Sequence, residues 1–197
     1  MLLQEIRFIH ALAEKEEVTV TQRELPVMEH LSKYFDVKYK LGDIASFSID
    51  VNHETPSVTY KGKTRPLVFP RGLIRAEQKD IDYFFQGTIQ GREGDWDNFP
   101  NATIIESGAG RDFPTKAYDP DYFDKMARTK FALVPNGVSF PWSYRFFEAV
   151  LSGAVPLVEE PLPLYDGYKF FIIGQPHEFK QDYIQHNLDK IIKDCML

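Results

Sequence analysis

Cysteine is almost absent from this chain, because Cys195 is the single one among 197 residues. One thiol can form no internal disulfide and no cysteine-based zinc site. A chain without disulfides suits a reducing compartment, and we expect the protein to be cytoplasmic. The sequence also lacks a long apolar run and a signal-peptide pattern, so we expect no membrane span.

Blocks of lysine and arginine are missing as well. The net charge is −6 and the isoelectric point about 5.4, which argues against a protein whose main ligand is nucleic acid. An acidic balance does not exclude a phosphate ligand, because a few placed arginines and backbone amides suffice to bind one. Neither GxGxxG nor GxxxxGK[ST] occurs, so a dinucleotide redox enzyme and a P-loop protein lose their usual support.

The C-terminal two thirds of the chain show an alternation of strand and helix patterns. Strands are predicted at Ile81–Gln86, Ala102–Glu106, Phe131–Val134, Ala154–Val158 and Phe170–Ile173, and helices at Pro120–Arg128, Pro141–Ser152 and Phe179–Lys193. Strands that alternate with helices predict a parallel sheet with right-handed crossovers. We therefore predict an α/β domain over residues 71–197.

Residues 1–70 are less regular and are predicted to form a small α+β portion. The predicted elements are helices over 2–15 and Pro26–Phe35, strands at Val18–Thr21 and Val37–Leu41, and a hairpin between Ser57–Tyr60 and the residues after Gly62. The rest of the segment 42–66 is rich in turn residues, and we assign no other strand to it.

The run Lys130–Val158 is the most informative part of the chain. It is typical of a strand, a glycine-bearing loop, an amphipathic helix, a tight glycine turn and a second strand. The helix carries Phe146, Ala149, Val150 and Gly153 at the spacing of a stripe that faces a sheet. Arg145, Glu148 and Ser152 form a neighbouring stripe, and Ser139 is expected to cap the helix.

The charged stripe has two possible interpretations. Arg145 and Glu148 are spaced as an exposed i,i+3 ion pair, which contributes little to stability. Alternatively, Arg145 donates two hydrogen bonds to a diphosphate and Glu148 accepts from ribose or sugar hydroxyls. The second interpretation is supported by the preceding loop Pro135–Asn136–Gly137, whose glycine lets the backbone approach a ligand closely.

The same run is similar to the nucleotide-sugar-binding signature of exostosin-like glycosyltransferases. Those signatures read approximately F-x-L-x-P-x-G, S-x-R-x-x-E-A and G-x-x-P-V. The corresponding residues here are Phe131, Leu133, Pro135, Gly137, Ser143, Arg145, Glu148, Ala149, Gly153, Pro156 and Leu157. The last of these is a leucine where the signature has valine.

The resemblance implies a fold, a donor and two residue roles. The fold is a Rossmann-like parallel sheet with flanking helices, in the GT-B arrangement of two facing domains, with residues 1–70 as a small acceptor-side portion. The donor is a nucleotide-diphosphate sugar, with UDP favoured over GDP. Arg145 is expected on the diphosphate and Glu148 on the ribose or sugar. Enzymes of this arrangement usually need no essential metal, so we expect no metal and no cofactor other than the sugar nucleotide.

Further donor-binding candidates follow the predicted strands. Gly87, Thr88 and Arg92 lie in a glycine-bearing loop that could bind phosphate. Arg111 follows the second strand and is expected at the same sheet edge, where ligands of open α/β sheets bind. Asn136, Gly137, Ser143 and Tyr144 complete the list of donor-binding candidates. The structural alternatives are an ordinary strand-end turn, solvated arginines, and core packing of the aromatic ring.

Two features concern catalysis. Asp119–Pro120–Asp121 resembles a DxD metal motif, but we interpret it as a helix cap with Pro120 at the first helical position. An inverting glycosyl transfer needs a base for the acceptor hydroxyl, and Asp43 and His53 are the leading candidates, with Asp50 and Glu54 also possible.

The sequence supports two functional hypotheses. The first is a glycosyltransferase that moves a sugar to a hydroxyl of a glycan or glycoprotein acceptor, with Arg145, Asp43 and His53 as catalytic residues. The second is a non-catalytic module that binds the nucleotide sugar and needs a second domain or subunit. The second hypothesis arises because 197 residues are few for two complete Rossmann-type domains.

Overall fold

The computed structural model describes the chain in segments, and the account of the fold concerns these alone. They are residues 17–22, 25, 28–29, 32, 38–43, 49–52, 57–60, 63–66, 74, 77–87, 99, 102–106, 121–137 and 141–195. The chain divides into two compact units, the first comprising Met1–Leu73, Arg111–Tyr118 and Cys195–Leu197, and the second Ile74–Gly110 and Asp119–Asp194. The domain boundary near residue 70 stays a prediction.

The first unit contains two small sheets. Strand β1 (Val18–Val20) pairs in parallel with β2 (Tyr39–Leu41). Strands β3 (Ile49–Asn52), β4 (Ser57–Tyr60) and β5 (Lys63–Pro66) form an antiparallel sheet in chain order. The predicted hairpin of β4 and β5 is thus confirmed.

The first unit contains a strand that is not predicted, and its predicted helices lie mostly outside the described residues. Strand β3 (Ile49–Asn52) lies in the turn-rich segment 42–66, where no strand outside the hairpin is predicted. Its four residues show too short an alternation to be recognised without the partner strand β4, to which they pair. The predicted helix over 2–15 lies outside the described residues. Most of the predicted helix at Pro26–Phe35 does too, although Met28 and Glu29 are helical.

The second unit is built on a five-stranded sheet in which every pair is parallel. Its strands are β6 (Ile81–Gly87), β7 (Ala102–Glu106), β8 (Thr129–Val134), β9 (Val155–Val158) and β10 (Phe171–Ile172), in the order β10-β9-β8-β6-β7. The α/β fold class predicted from the sequence, a parallel sheet with flanking helices, is confirmed.

Three α-helices accompany this sheet among the described residues. They are α1 (Tyr122–Ala127), α2 (Arg145–Leu151) and α3 (Gln181–Cys195), and a single 3-10 turn lies at Pro163–Tyr165. Helix α1 begins later than predicted, with Asp121 at its N-cap position and without a side-chain cap bond. The predicted cap Asp119 lies outside the described residues.

Helix α2 also begins later than predicted, at Arg145 and not at Pro141. The prediction was wrong because tertiary contacts hold the preceding residues in another conformation. The Ser143 N–H donates to the Tyr165 hydroxyl at 3.3 Å, and Trp142 is buried. The Ser143 hydroxyl then accepts from the Arg145 N–H at 3.3 Å, which satisfies one of the free N–H groups of the first turn.

The turn between α2 and β9 is the glycine turn that the sequence predicts. Gly153 has a φ of 66°, a left-handed conformation that glycine adopts without a steric penalty. Its N–H donates to the Val150 carbonyl at 3.0 Å, and the Ala154 N–H donates to the Ala149 carbonyl at 2.8 Å. These two bonds define a Schellman motif, which ends α2 and directs the chain into β9.

The two faces of the sheet are covered by different helices. Helix α3 places Ile184 and Leu188 against Phe85, Leu133 and their neighbours in one apolar cluster. Because successive strand residues face opposite sides, Phe84 turns to the other face, where its ring lies 5.9 Å from that of Tyr122 in α1. In the described part of the chain, no helix has the length and apolar content needed to cross a bilayer.

Candidate functional site

The strand order fixes where a ligand is expected. The chain passes from β6 to β7 on one side, and it places β8, β9 and β10 in succession on the other side. The carboxyl ends of β6 and β8 therefore flank a topological switch point, which is where open α/β sheets bind ligands. Helix α2 begins shortly after β8, and its first residue, Arg145, reaches the end of β6.

The guanidinium of Arg145 is held by β6. Its Nη2 donates to the Gln86 carbonyl oxygen at 2.7 Å. Its central carbon lies 4.4 Å from the centroid of the Phe85 ring, a cation–π arrangement. The Arg145 side chain is thus positioned at the carboxyl end of the strand, as the sequence-based interpretation requires.

Gly87 makes this position possible. A β-carbon at residue 87 would lie 2.5 Å from Arg145 Nη2 and 3.2 Å from Phe85 Cζ. The backbone of Gly87 belongs to β6 and is not in the left-handed region, so the glycine is required by space and not by conformation. From the sequence, Gly87 is predicted to bring its backbone amide to a phosphate. The space that Gly87 leaves for the Arg145 side chain is seen only in the structure.

Two of the three guanidinium nitrogens lack an acceptor among the described residues. Arg145 Nε and Nη1 are buried and make no hydrogen bond to any residue that the structure describes. Buried donors without partners cost about 1–3 kcal/mol each. The guanidinium therefore retains donors that have no acceptor among the described residues.

Glu148 lies one turn further along α2 and is only 4 % exposed. The Tyr122 hydroxyl of helix α1 donates a short hydrogen bond to Glu148 Oε2. Burial raises the pKa of Tyr122 well above its ordinary value, and the charge of Glu148 adds to the rise while that of Arg145 opposes it. The alternative of an exposed Arg145–Glu148 ion pair is therefore wrong, because the carboxylate is buried.

Tyr122 was not singled out by the sequence analysis. It is 2 % exposed and lies 26 positions before Glu148. Its aromatic ring fits the apolar pattern of a core residue, and only the tertiary structure shows that the hydroxyl reaches a functional candidate. The same holds for Tyr165, whose ring stacks on Phe146 at 3.9 Å and whose hydroxyl accepts from Ser143.

Ser143 and Tyr144 have structural contacts that the sequence left open. The Ser143 hydroxyl accepts a hydrogen bond from the Arg145 N–H, the first N–H of α2. The ring of Tyr144 contacts that of Trp142, with 4.8 Å between their centroids. Their donor-binding roles stay predictions, and both residues lie at the carboxyl side of the sheet just before Arg145.

The loop Pro135–Asn136–Gly137 follows β8 and is bound by two glutamates. The Asn136 N–H donates to Glu159 Oε2 at 3.2 Å, and Asn136 Nδ2 donates to Glu160 Oε1 at 2.8 Å. A phosphate at the Asn136 amide would have to replace the Glu159 carboxylate. The donor-binding roles of Asn136 and Gly137 stay predictions.

Two of the remaining candidates belong to the first unit, and the others lie outside the described residues. Asp43 is exposed after β2, and Asp50 belongs to β3, both in the first unit. Thr88, Arg92, Arg111, His53 and Glu54 lie outside the described residues. Within the described segments, no group of three or more His, Cys, Asp or Glu residues is arranged to hold a metal ion.

Comparison with known proteins gives a partial match. No protein-family model matches the chain. It is 32 % identical over 112 residues, or 54 % of its length, to a probable glucuronosyltransferase of Oryza sativa subsp. japonica. It shows the same identity and coverage with a probable beta-1,4-xylosyltransferase of Arabidopsis thaliana. In both cases the match covers 24 % of the plant protein, so the chain spans about a quarter of the length of these curated relatives.

Proposed function

We propose that the chain is a glycosyltransferase whose donor, a nucleotide-diphosphate sugar, binds at the carboxyl end of β6. The observation that carries this proposal is the Arg145 guanidinium, which lies at the switch point with two buried nitrogens that find no acceptor in the described segments. Both plant relatives carry names of glycosyltransferases, which agrees with the resemblance of the Lys130–Val158 run.

A diphosphate fits the unused donors of Arg145. Its oxygens are charged acceptors, and a guanidinium offers parallel N–H groups that match two of them. The Gln86 carbonyl and the Phe85 ring already hold the arginine side chain in place. Little side-chain entropy is therefore lost when the ligand binds. In the transfer reaction Arg145 stabilises the negative charge that grows on the leaving diphosphate.

Glu148 supplies the complementary function in this proposal. An ionised carboxylate only accepts hydrogen bonds, so it suits hydroxyls and disfavours phosphate. Placed one helical turn from Arg145, it binds ribose or sugar hydroxyls while Arg145 binds the diphosphate. We favour a UDP-sugar as the donor and a glycan or glycoprotein hydroxyl as the acceptor.

The transfer itself needs groups beyond this pair. The sugar carbon passes through an oxocarbenium-like transition state as its bond to the diphosphate breaks and its bond to the acceptor oxygen forms. For an inverting reaction we propose Asp43 or His53 as the base that takes the acceptor proton. The reaction is proposed to be metal-independent, with Arg145 neutralising the diphosphate.

A non-catalytic module is the second candidate function. It is favoured by the length comparison, because the matched region covers only 24 % of each plant relative. In that case the second unit binds the nucleotide sugar, and a second domain or subunit supplies the acceptor side of the site.

Calorimetric titration with UDP, GDP, UDP-xylose and UDP-glucuronate tests both candidates. We expect Arg145→Ala to weaken UDP binding by about 1.5–3 kcal/mol, because a charged hydrogen bond is lost. Arg128→Ala is the matched control, since its side chain pairs with Asp80 at the opposite end of the sheet, and it should leave UDP affinity unchanged.

Each outcome has a defined meaning. If none of the four nucleotides binds, both candidate functions are wrong. An unchanged UDP affinity in folded Arg145→Ala would remove Arg145 from the site. Release of UDP from a UDP-sugar only when an oligosaccharide acceptor is added supports the transferase, whereas binding without transfer supports the module.

A further inference from the structure

The buried contact between helices α1 and α2 suggests a residue role that the sequence motif does not contain. Tyr122 belongs to α1, and the site-bearing motif belongs to α2 and its preceding loop. The Tyr122 hydroxyl nevertheless reaches Glu148 Oε2, and both side chains are almost fully buried.

We propose that Tyr122 is a positioning residue that orients the Glu148 carboxylate toward ligand hydroxyls. This inference rests on the proposed function of the Arg145–Glu148 pair. Tyr122 acts through Glu148 and is not expected to contact the ligand itself.

The chemistry of the contact supports this role. A hydroxyl that donates to a carboxylate makes a charge-assisted hydrogen bond, which is stronger and more directional than a neutral one. A tyrosine hydroxyl is protonated at neutral pH, and the pKa of Tyr122 is raised further, so the hydroxyl is a donor to the carboxylate. A glutamate that Tyr122 holds has fewer orientations available, and less entropy is lost when it binds a hydroxyl.

The packing of the ring fixes the donor. Tyr122 contacts Phe84 of β6 at 5.9 Å and Phe123 at 5.3 Å between ring centroids. Phe84 is fully buried in the strand whose end carries Gln86 and Gly87. The hydroxyl is therefore held by packing against β6, the strand that also positions Arg145. The positions of both charged groups, Arg145 and Glu148, thus depend on β6.

The substitution Tyr122→Phe tests the role because it keeps the ring and removes only the hydroxyl. We expect the affinity for UDP or for UDP-xylose to fall about tenfold, the loss of one hydrogen bond to a charged group. Loss of affinity for both ligands assigns Glu148 to the ribose, and loss for UDP-xylose alone assigns it to the sugar; both support the role of Tyr122.

A double-mutant cycle separates positioning from general destabilisation. In a Glu148→Gln background, Tyr122→Phe should cause no further loss of affinity, because the group that Tyr122 positions has been changed. Tyr83→Phe is the matched control, since it removes a tyrosine hydroxyl bonded to His177 at 2.9 Å and should leave affinity unchanged.

The proposal fails if Tyr122→Phe binds both ligands as tightly as the unsubstituted protein does. It also fails if the losses from Tyr122→Phe and Glu148→Gln simply add. These outcomes differ from failure of the proposed function, in which the unsubstituted protein binds neither UDP nor UDP-xylose.

Discussion

The substitution Gly87→Ala should separate the ligand-binding role of Arg145 from the stability of the fold. The new β-carbon would lie 2.5 Å from Arg145 Nη2, which is far inside van der Waals contact. The arginine is the group that moves, because it is the end of a flexible side chain. The backbone at Gly87 needs no left-handed conformation, so alanine itself introduces no strain there.

The magnitude follows from the contacts that the guanidinium would leave. The hydrogen bond to the Gln86 carbonyl is worth about 1.5–3 kcal/mol as a bond to a charged group, and the contact with Phe85 about 0.5–1 kcal/mol. Because the displaced guanidinium regains hydrogen bonds to water, we expect the free energy of unfolding to fall by only about 2 kcal/mol. Affinity for UDP should fall about 10- to 100-fold, as in Arg145→Ala.

The assay combines urea denaturation with calorimetric titration of UDP, and Gly174→Ala is its control. Gly174 has a φ of 82° and open space around its α-carbon, so alanine there costs about 1–2 kcal/mol through the backbone alone. Its UDP affinity should be unchanged. If Gly87→Ala binds UDP with unchanged affinity, the guanidinium does not bind the ligand from its position next to Gly87, and the reasoning is refuted.

Two further predictions concern stability. Burial lowers the pKa of Lys79 from its ordinary 10.5 to about 8. Between these two pH values the unfolded chain binds more protons than the folded protein does. The free energy of unfolding should therefore rise from about pH 8 to about pH 10.5. The difference in unfolding free energy between the unsubstituted protein and Lys79→Met, from urea denaturation at each pH, should show this rise, and a pH-independent difference would contradict it. Asn187 is buried and exchanges two 2.7 Å hydrogen bonds with the backbone of Lys169, so Asn187→Ala should lower the free energy of unfolding by about 2–3 kcal/mol. The exposed Gln185→Ala is its control in thermal denaturation, and equal melting temperatures would refute the argument.

The parallel sheet could be predicted because its strands are continuous apolar runs. Phe131–Val134 and Ala154–Val158 have almost no polar residue, as expected of strands covered on both faces. The observed β8 and β9 differ from these bounds only at their first residues. Gly153 could be predicted for a local reason, since a turn that follows a helix favours glycine in the left-handed conformation.

The start of α2 and the partners of its charges could not be predicted. Pro141 is a good residue for a first helical turn, but the Tyr165 hydroxyl and the burial of Trp142 hold the chain outside the helix up to Tyr144. The contact of Tyr122 with Glu148 joins residues of two different helices. The hydrophobic periodicity of each helix does not predict such a contact. The role of Asp43 and His53 as a base and the cytoplasmic location stay predictions.

The arrangement of Arg145 bears on its proposed role in ligand binding. An arginine that only fastened α2 to β6 would be expected to satisfy its buried donors within the protein, since unpaired donors are costly. Arg145 instead uses Nη2 for the Gln86 carbonyl and leaves Nε and Nη1 buried without acceptors in the described part of the chain. Glu148, a second buried charge, is held one turn away by Tyr122. In the proposed function, an anion that also carries hydroxyls accepts hydrogen bonds from the arginine and donates hydrogen bonds to the glutamate.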